Sequence, residues 1–183
     1  MAILPFYLLT ILMNTINNLS EKELYLLCYQ KFFGVTMRYC RNREDALEVF
    51  NDGMMKILKH YKEGKIKNVS FFGWCKTVII NTAIDFLRKK KLEVIEFDTV
   101  AQRTYGIEGN SGEQNLLKED ILREIQKLPN KTRAVFNLYV FEGLTHREIS
   151  QELDITEGTS HWHVNNARKI IKTLIKYTAA IAL

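Results

Sequence analysis

Hydrophobic residues recur at helical spacing through most of this chain, and the clearest example lies between Leu144 and Leu174. In its first half, Ile149 and Leu153 stand one helical turn apart on one face, while Glu148, Gln151 and Glu152 point to water. Residues 154–158 interrupt the pattern with turn and capping side chains. A second run of inward-facing residues follows, formed by Ser160, Val164, Ala167, Ile171 and Leu174. The stretch therefore predicts a helix-turn-helix.

The second helix of this motif carries polar and aromatic side chains on its outer surfaces. They are Thr159, His161, Trp162, His163, Asn165 and Arg168. This mixture of donors, acceptors and one large aromatic ring suits base edges and phosphates in a major groove. A helix-turn-helix pattern also describes many two-helix packings that bind no nucleic acid, so the motif alone leaves both interpretations open.

Two helical patterns in the first third of the chain predict a helical domain with one polar outer surface. Ser20 and Glu23 are placed for a capping box, and the aromatic-rich run that follows is typical of a core. A second helix begins at Glu44, since acidic side chains favour a helix N-terminus. Its apolar residues form one stripe, and the opposite side shows Glu48, Asn51, Asp52, Met55 and Lys56. This side either faces solvent or docks a partner helix.

A basic loop at 62–70 precedes a very apolar helix that begins at Phe71. Within this helix, three polar residues share one face: Asn81, Asp85 and Arg88. Four consecutive cations at 88–91 follow, which form either a solvated helix end or part of a nucleic-acid site. The loop, the cations and two aromatic rings that we expect to be exposed, Phe71 and Trp74, favour a single-strand site where bases stack and phosphates meet charge.

Composition changes after this helix and divides the chain. An acidic, glycine-rich stretch predicts a flexible linker, and helical patterns return after it. Two prolines and nine glycines leave little room for a turn-dense β fold. We expect an all-α protein of two small helical domains joined by a flexible linker, with the helix-turn-helix in the second domain. The predicted segments are an N-terminal extension at 1–19, a first domain at 20–91, the linker at 92–113, a second domain at 114–176 and a tail at 177–183.

Charge and cysteine content narrow the functional classes. A net charge of +5 and a pI near 9.0 permit a polyanionic partner without requiring one. Three widely spaced cysteines in no CxxC arrangement argue for a reducing compartment, and against a disulfide framework or a zinc site. His161 and His163 lie two residues apart on a helix and so point in different directions, which disfavours a shared metal. We expect no catalytic constellation, metal or cofactor.

The apolar segment at residues 1–12 is too short to span a bilayer and lacks the charge and cleavage pattern of a secretory signal. Two explanations remain open. The segment belongs to the native protein, or Met13 is the natural start and the segment is a translated leader. We favour the second explanation, and neither one predicts membrane insertion.

Together these motifs resemble the small two-domain sigma factors of bacterial RNA polymerase, the extracytoplasmic-function group of the sigma-70 family. The likeness runs from about Ser20 to Ile175. Residues 44–58 resemble the polymerase-docking helix of the family, residues 71–91 its promoter-melting helix, and residues 128–170 its upstream-element module. The resemblance identifies the first predicted domain as sigma region 2 and the second as sigma region 4.

The resemblance implies a role for each surface in transcription initiation. Core RNA polymerase, through its β′ subunit and with the β subunit as a further contact, would meet Glu48, Asn51, Asp52 and Lys56. The melted −10 element, with a base extruded into a protein pocket, would meet Lys65, Lys67, Asn68, Trp74, Asn81, Asp85, Arg88 and Lys89. The −35 duplex would be read and clamped by Thr145, Thr159, His161, Trp162, His163 and Arg168. The polymerase would form the bonds, so the protein itself would not be an enzyme.

The resemblance further implies a cytoplasmic protein controlled by an anti-sigma factor that covers these surfaces. Two alternatives come from other functional classes. A stand-alone helix-turn-helix regulator explains the second domain, but it leaves the Glu44 helix and the Asn81 face without a role. A nucleic-acid enzyme would need a metal or nucleophile constellation, and the sequence offers no convincing one.

Several residues depart from the family pattern at the proposed surfaces. In the docking helix, Asn51 stands where a longer amide is usual, Leu47 replaces a usual polar residue, and Gly53 costs up to about 1 kcal/mol relative to alanine. In the reading helix, His161 and His163 stand where basic or small polar residues are common. Charge on these histidines predicts modestly tighter promoter binding near pH 6 than near pH 8.

Overall fold

Seven α-helices form the part of the chain that the computed structural model describes, residues 18–63, 71–93 and 113–181. Side-chain contacts are described for residues 18–63, 71–89 and 120–172. The helices are α1 (Glu21–Tyr39), α2 (Arg43–Lys62), α3 (Phe71–Glu93), α4 (Glu113–Lys127), α5 (Asn130–Val140), α6 (His146–Leu153) and α7 (Glu157–Ile181). The described residues contain no strand, and the prediction of an all-α fold is confirmed. None of these seven helices is long and apolar enough to cross a membrane.

Two predicted segments fall mostly outside this part of the chain. The N-terminal extension is described only from residue 18, and the predicted linker only at its two ends, where α3 runs on to Glu93 and α4 begins at Glu113.

Helices α1, α2 and α3 pack together and are called the N-terminal module below. The predicted capping box starts α1: the Glu23 N–H donates to Ser20 Oγ at 3.3 Å, and the Ser20 N–H donates to the Glu23 carboxylate at 2.8 Å. The aromatic run predicted as core does form the core. Tyr29 stacks on Phe33 at 4.6 Å between ring centroids, and both rings meet Phe50 of α2 edge-on. These contacts turn the apolar stripe of α2 inward.

Gly53 lies where α2 and α3 approach each other closely. A Cβ atom on Gly53 would lie 2.6 Å from Cδ1 and 3.6 Å from Cα of Ile79, a fully buried residue of α3. Glycine fits this approach without displacing the Ile79 side chain. Gly53 lowers the helix propensity of α2, but it allows α2 to pack closely on α3.

Helices α4 to α7 form the C-terminal module, where the sequence predicts helical patterns after the linker. A small core is formed by Ile125, Leu128, Phe136 and Ala167. Gly143, in the turn between α5 and α6, has a φ of +71°, which glycine adopts without steric cost. The Leu144 N–H donates to the Leu138 carbonyl across this turn at 3.1 Å, and α6 packs back against α5.

The two modules pack directly against each other. Apolar residues of α5, among them Ala134 and Val135, belong to the same hydrophobic cluster as the core of the N-terminal module. Three side chains of the C-terminal module also donate to the last carbonyls of α1: Gln126 Nε2 to Met37 at 2.9 Å, Asn137 Nδ2 to Arg38 at 2.9 Å and Arg133 Nε to Tyr39 at 2.8 Å. The last carbonyls of a helix have no partner within it. The C-terminal module therefore completes the end of α1.

Glu142 adds ion pairs to this junction. Its carboxylate lies 3.6 Å from Arg38 Nη2 and 2.5 Å from Lys76 Nζ. The Arg38 guanidinium also lies over the Phe141 ring, 4.4 Å from its centroid. Because Arg38 belongs to α1 and Lys76 to α3, one carboxylate after α5 contacts two helices of the other module.

Candidate polymerase and nucleic-acid interfaces

The outer side of α2 presents the residues predicted to bind polymerase. Burial of the apolar stripe leaves all four of these predicted residues exposed: Glu48, Asn51, Asp52 and Lys56. Two of them are held by neighbouring helices, since Asn51 Oδ1 accepts from Tyr25 OH at 2.9 Å and Lys56 Nζ donates to Thr82 Oγ1 at 3.0 Å. The surface therefore combines two carboxylates with two positioned polar groups.

Two apolar side chains of α2 are exposed beside these polar groups. Met55 is 70% exposed and Leu47 is 39% exposed. Apolar side chains within a polar rim are typical of protein interfaces. The sequence placed Met55 on this side of α2, but the family resemblance did not include Met55 among the residues that would bind polymerase.

Helix α3 presents the predicted −10 residues on one exposed side. Asn81, Asp85, Arg88 and Lys89 are all exposed, and Arg88 Nη1 lies 3.5 Å from Asp85 Oδ1. Arg88 Nη2 also donates to the backbone carbonyl of Glu152 near the end of α6. The Arg88 end of this surface therefore contacts the C-terminal module. Three further predicted −10 residues lie outside the described part of the chain: Lys65, Lys67 and Asn68.

The two aromatic residues at the start of α3 differ in exposure. Phe71 is 3% exposed, so the prediction of an exposed ring is wrong. The helical period places Phe71 on the same side as Cys75 and Ile79, which are also buried. Trp74 is half-buried, with its ring 5.5 Å from the His60 ring. Of the two rings, Trp74 is the one with a face left to stack on a base.

Side-chain caps shape the helix-turn-helix. Thr145 and Glu148 form a capping box, in which the Glu148 carboxylate accepts from the Thr145 N–H at 2.8 Å. Asp154 ends α6 with a φ of 50°, in the left-handed region. Thr156 Oγ1 then accepts from the Thr159 N–H at 3.1 Å where α7 begins. Two predicted −35 residues, Thr145 and Thr159, are therefore also parts of these caps.

The outer surface of α7 carries most of the predicted −35 residues. Three of them, His161, Trp162 and Arg168, are exposed there, and Asn165 is exposed beside them. His163 is only 8% exposed, with Nδ1 3.0 Å from Thr132 Oγ1, so its prediction as an outer residue is wrong. It lies three residues after buried Ser160, on the inner side of α7. Burial, and then the charge of Lys131, lowers the pKa of His163. His163 therefore cannot supply the predicted charge toward phosphates.

Three aromatic rings stack on the C-terminal module and are called the ring column below. The ring centroids of Tyr139 and His146 lie 4.6 Å apart, and those of His146 and His161 lie 3.5 Å apart. His146 Nδ1 lies 2.9 Å from Oγ of buried Ser160. Burial, and then the charge of His161, lowers the pKa of His146. Sequence reasoning missed Tyr139 and His146, although His146 directly follows the capping residue Thr145.

The described residues form no candidate metal site. Within the residues that the structure describes, no group of three or more His, Cys, Asp or Glu side chains could hold a metal ion. The three cysteines are buried thiols. The exposed groups are polar, cationic and aromatic side chains suited to binding.

Known proteins share both modules of this chain. Residues 24–93 match the family model described as Sigma-70 region 2, and residues 118–171 match the one described as Sigma-70, region 4. The RNA polymerase sigma factor SigV of Bacillus subtilis (strain 168) is 26% identical over 159 residues, which cover 84% of this chain and 92% of SigV. SigZ of the same organism is 29% identical over 136 residues, with 73% and 72% covered. The ECF RNA polymerase sigma-E factor of Haemophilus influenzae is 22% identical over 157 residues, with 80% and 82% covered.

Proposed function

The chain belongs to the extracytoplasmic-function group of the sigma-70 family, and we propose that its three exposed surfaces divide the work of a promoter-specific sigma factor. As a sigma factor, the protein acts in transcription initiation with core RNA polymerase and promoter DNA. The observation that carries the proposal is that α2, α3 and α7 present separate polar surfaces on one apolar framework. Strand opening then draws on binding free energy, and the polymerase forms the bonds.

The α2 surface binds core polymerase. Its support is the pair of carboxylates Glu48 and Asp52 next to exposed Met55. A methionine that becomes buried at the centre of a charged rim supplies apolar area, while the carboxylates select a basic partner. The hydrogen bonds of Asn51 and Lys56 to α1 and α3 fix the polar rim before the partner arrives.

The exposed side of α3 binds the −10 element as single strands. Asn81 and Asp85 offer hydrogen bonds to base edges, and Arg88 and Lys89 offer charge to phosphates. The half-buried ring of Trp74 offers a stacking face. We assign the basic residues of the loop before α3 to the same DNA element as a further part of the proposal.

The α7 surface reads the −35 element as duplex. Exposed His161 and Arg168 carry donors for bases and phosphates, and Trp162, 59% exposed, offers an apolar face to a thymine methyl group. The caps at Thr145 and Thr159 orient the start of both helices toward the groove. His163 lies on the inner side and has no place in this proposal.

Use of both promoter elements requires the two modules to separate. By their names, the −10 and −35 elements lie about 25 base pairs apart, which is about 85 Å of duplex at 3.4 Å per base pair. In the packed arrangement Arg88, on the −10 surface, donates to Glu152 of the helix-turn-helix. We therefore assign the packed arrangement of the two modules to the free protein. Binding of the promoter and of polymerase then selects the arrangement in which the modules are separated.

An anti-sigma factor is a further proposed partner, in the cytoplasm where core polymerase works. A protein that covered Leu47 and Met55 would compete with polymerase for the same surface. Displacement of such a protein from the chain by purified core polymerase would test this part of the proposal.

The experiment that tests the function is run-off transcription with purified core polymerase on a pool of genomic fragments. We expect initiation at discrete start sites with the unmodified protein and its loss with the double variant Asn81→Ala, Asp85→Ala. Gln30→Ala, an exposed change on α1, serves as the control and leaves initiation intact. DNA binding without any gain in initiation would instead identify a stand-alone helix-turn-helix regulator.

A further inference from the structure

A cavity of about 350 Å³ lies at the junction between the two modules. Its apolar wall is entirely aliphatic and is formed by Ile84, Leu87, Ala134, Val135, Leu153 and Ile155. The first two belong to α3 and the others to the C-terminal module, so both modules are needed to form the wall. The volume is within the range of small-molecule sites, about 300–1,000 Å³.

The charge around this cavity has one sign. Its charged lining residues are Arg41, Arg88 and Lys131, and no acidic residue is among the described residues that line it. Arg88 is engaged by Asp85 and by the Glu152 carbonyl. Arg41 and Lys131 form no ion pair with a described residue. Two such cations beside an apolar space favour an anion with an apolar body.

Arg133 adds to the same positive field. Its guanidinium is buried and donates to neutral acceptors, which are Tyr39 O, Gln126 O, Leu128 O and Asn130 Oδ1. Burial, and then the charge of Arg41, lowers its pKa to about 10. The junction therefore holds a buried cation next to an exposed one, and an anion near Arg41 would relieve their repulsion.

We propose that this cavity binds an aliphatic anion, a molecule with one carboxylate or phosphate head and an alkyl chain, as in a fatty acid. The head lies between Arg41 and Lys131, and the chain lies along the aliphatic wall. No aromatic side chain is among the described residues that line the cavity. Nucleobases bound by proteins commonly stack on aromatic rings, so a nucleotide fits this wall less well.

Such a ligand stabilises the packed arrangement of the modules. Because the wall comes from both modules, their separation would divide the site, and a ligand that binds one arrangement shifts the equilibrium toward it. If the protein has the proposed function, stabilisation of the packed arrangement by the ligand should lower the yield of transcripts. Binding itself does not rest on the proposed function.

The test is isothermal titration calorimetry of the full chain, without DNA or polymerase, using three probes. Sodium decanoate has the proposed head and tail, decyltrimethylammonium bromide has the same tail with a cationic head, and adenosine monophosphate is an anion with an aromatic body. We expect decanoate to bind one molecule per chain and the other two probes to bind about tenfold more weakly or worse. Equal or tighter binding of either of the other probes would overturn the proposal.

Paired variants locate the site. Arg41→Gln with Lys131→Gln changes two exposed cations, and we expect decanoate affinity to fall about tenfold or more. The control pair Lys59→Gln and Arg147→Gln changes the net charge equally away from the cavity. Ala134→Phe, which fills the wall, is expected to abolish binding. If the double variant Arg41→Gln, Lys131→Gln binds decanoate as tightly as the unmodified chain, the assignment of the site to this cavity is overturned. This outcome does not depend on whether the Ala134→Phe variant folds.

Discussion

The Nε atom of Arg133 donates a 2.8 Å hydrogen bond to the carbonyl of Tyr39, 94 residues earlier in the chain. Arg133 is 1% exposed, and its Nη1 and Nη2 atoms hold the turn between α4 and α5 through Leu128 and Asn130. One side chain therefore joins the C-terminal end of α1 to the turn that starts α5. A buried arginine is tolerated here because carbonyl and amide oxygens satisfy its donors.

Replacement of this arginine should destabilise the whole described fold. Arg133→Leu leaves buried acceptors unsatisfied on both modules, and we expect the free energy of unfolding in urea, followed by circular dichroism, to fall by about 3 kcal/mol or more. The control Arg147→Leu removes an exposed cation of α6 and should change stability by no more than about 0.5 kcal/mol. Equal stability of the two variants would show that the Arg133 hydrogen bonds contribute little.

Two glycine-to-alanine changes should have opposite effects on stability. Gly53→Ala places a Cβ 2.6 Å from Cδ1 of buried Ile79, and the overlap should outweigh the gain in helix propensity, with a net loss of about 1 kcal/mol. Gly34 of α1 is exposed, and a methyl group added to it would meet no atom within 4 Å. Gly34→Ala should therefore gain about 0.5–1 kcal/mol. Calorimetric melting measures both variants, and stabilisation by both would contradict the close approach at Gly53.

Local features of the fold could be predicted from the sequence because their causes are local. The capping box at Ser20 depends on residues three positions apart, and the stripe of α2 repeats at the helical period. The junction could not be predicted in this way. Nothing near Arg133 marks it as buried, since its partner Tyr39 lies far away in sequence.

The errors at the candidate site arise where the period along a single helix does not decide which side chains are buried or in contact. Phe71 begins a helix so rich in apolar residues that its sequence has little contrast between inner and outer sides. His163 is polar, so the pattern placed it outward, whereas a hydrogen bond to Thr132 satisfies it inside. The ring column was missed because a stack between His146 and His161 depends on how α6 meets α7, which periodicity along one helix does not encode.

Met55 should be a main contributor to polymerase binding. Met55→Asp puts a charge where the side chain is 70% exposed, so the fold should be unaffected while affinity for core polymerase falls about tenfold or more. Leu26→Asp makes the same kind of change on α1, where Leu26 is 50% exposed, and serves as the matched control. Surface plasmon resonance with immobilised core enzyme gives both affinities. A larger loss from the Leu26 variant would move the polymerase surface from α2 to α1.

His163 should make the fold less stable in mild acid. Its pKa in the folded chain is lowered from the usual value of 6.5, so the unfolded chain takes up a proton first as the pH falls below about 6.5. The contribution of neutral, buried His163 to the stability of the fold is complete above about pH 6.5. It is lost as the pH falls toward the pKa of His163 in the folded chain.

His163→Gln removes this titration. We expect its free energy of unfolding to fall less than that of the unmodified chain between about pH 7.5 and pH 5.5. Urea titrations across this range measure the difference, and a constant offset between the two proteins at every pH would rule out a role for His163.

The ring column should act as a unit in reading the −35 duplex. His146 lies between Tyr139 and His161, and its Nδ1 atom lies 2.9 Å from Ser160 Oγ, so we expect His146 to position the exposed ring of His161. Loss of either histidine should then weaken binding to a −35 duplex by several-fold. Both losses affect the same contact with DNA, because the His161 ring no longer has a fixed orientation once His146 is removed.

A double-mutant cycle distinguishes positioning from two independent effects. If His146 acts through His161, the variant His146→Ala, His161→Ala should bind the duplex selected by the unmodified protein about as well as either single variant, with a coupling of about 1 kcal/mol. Trp162→Ala, an exposed change outside the ring column, serves as the comparison, and its effect should add to that of His146→Ala. Fluorescence anisotropy of labelled duplex gives all the affinities. Simple additivity of the two histidine changes would mean that His146 contributes to DNA binding by itself or only to stability.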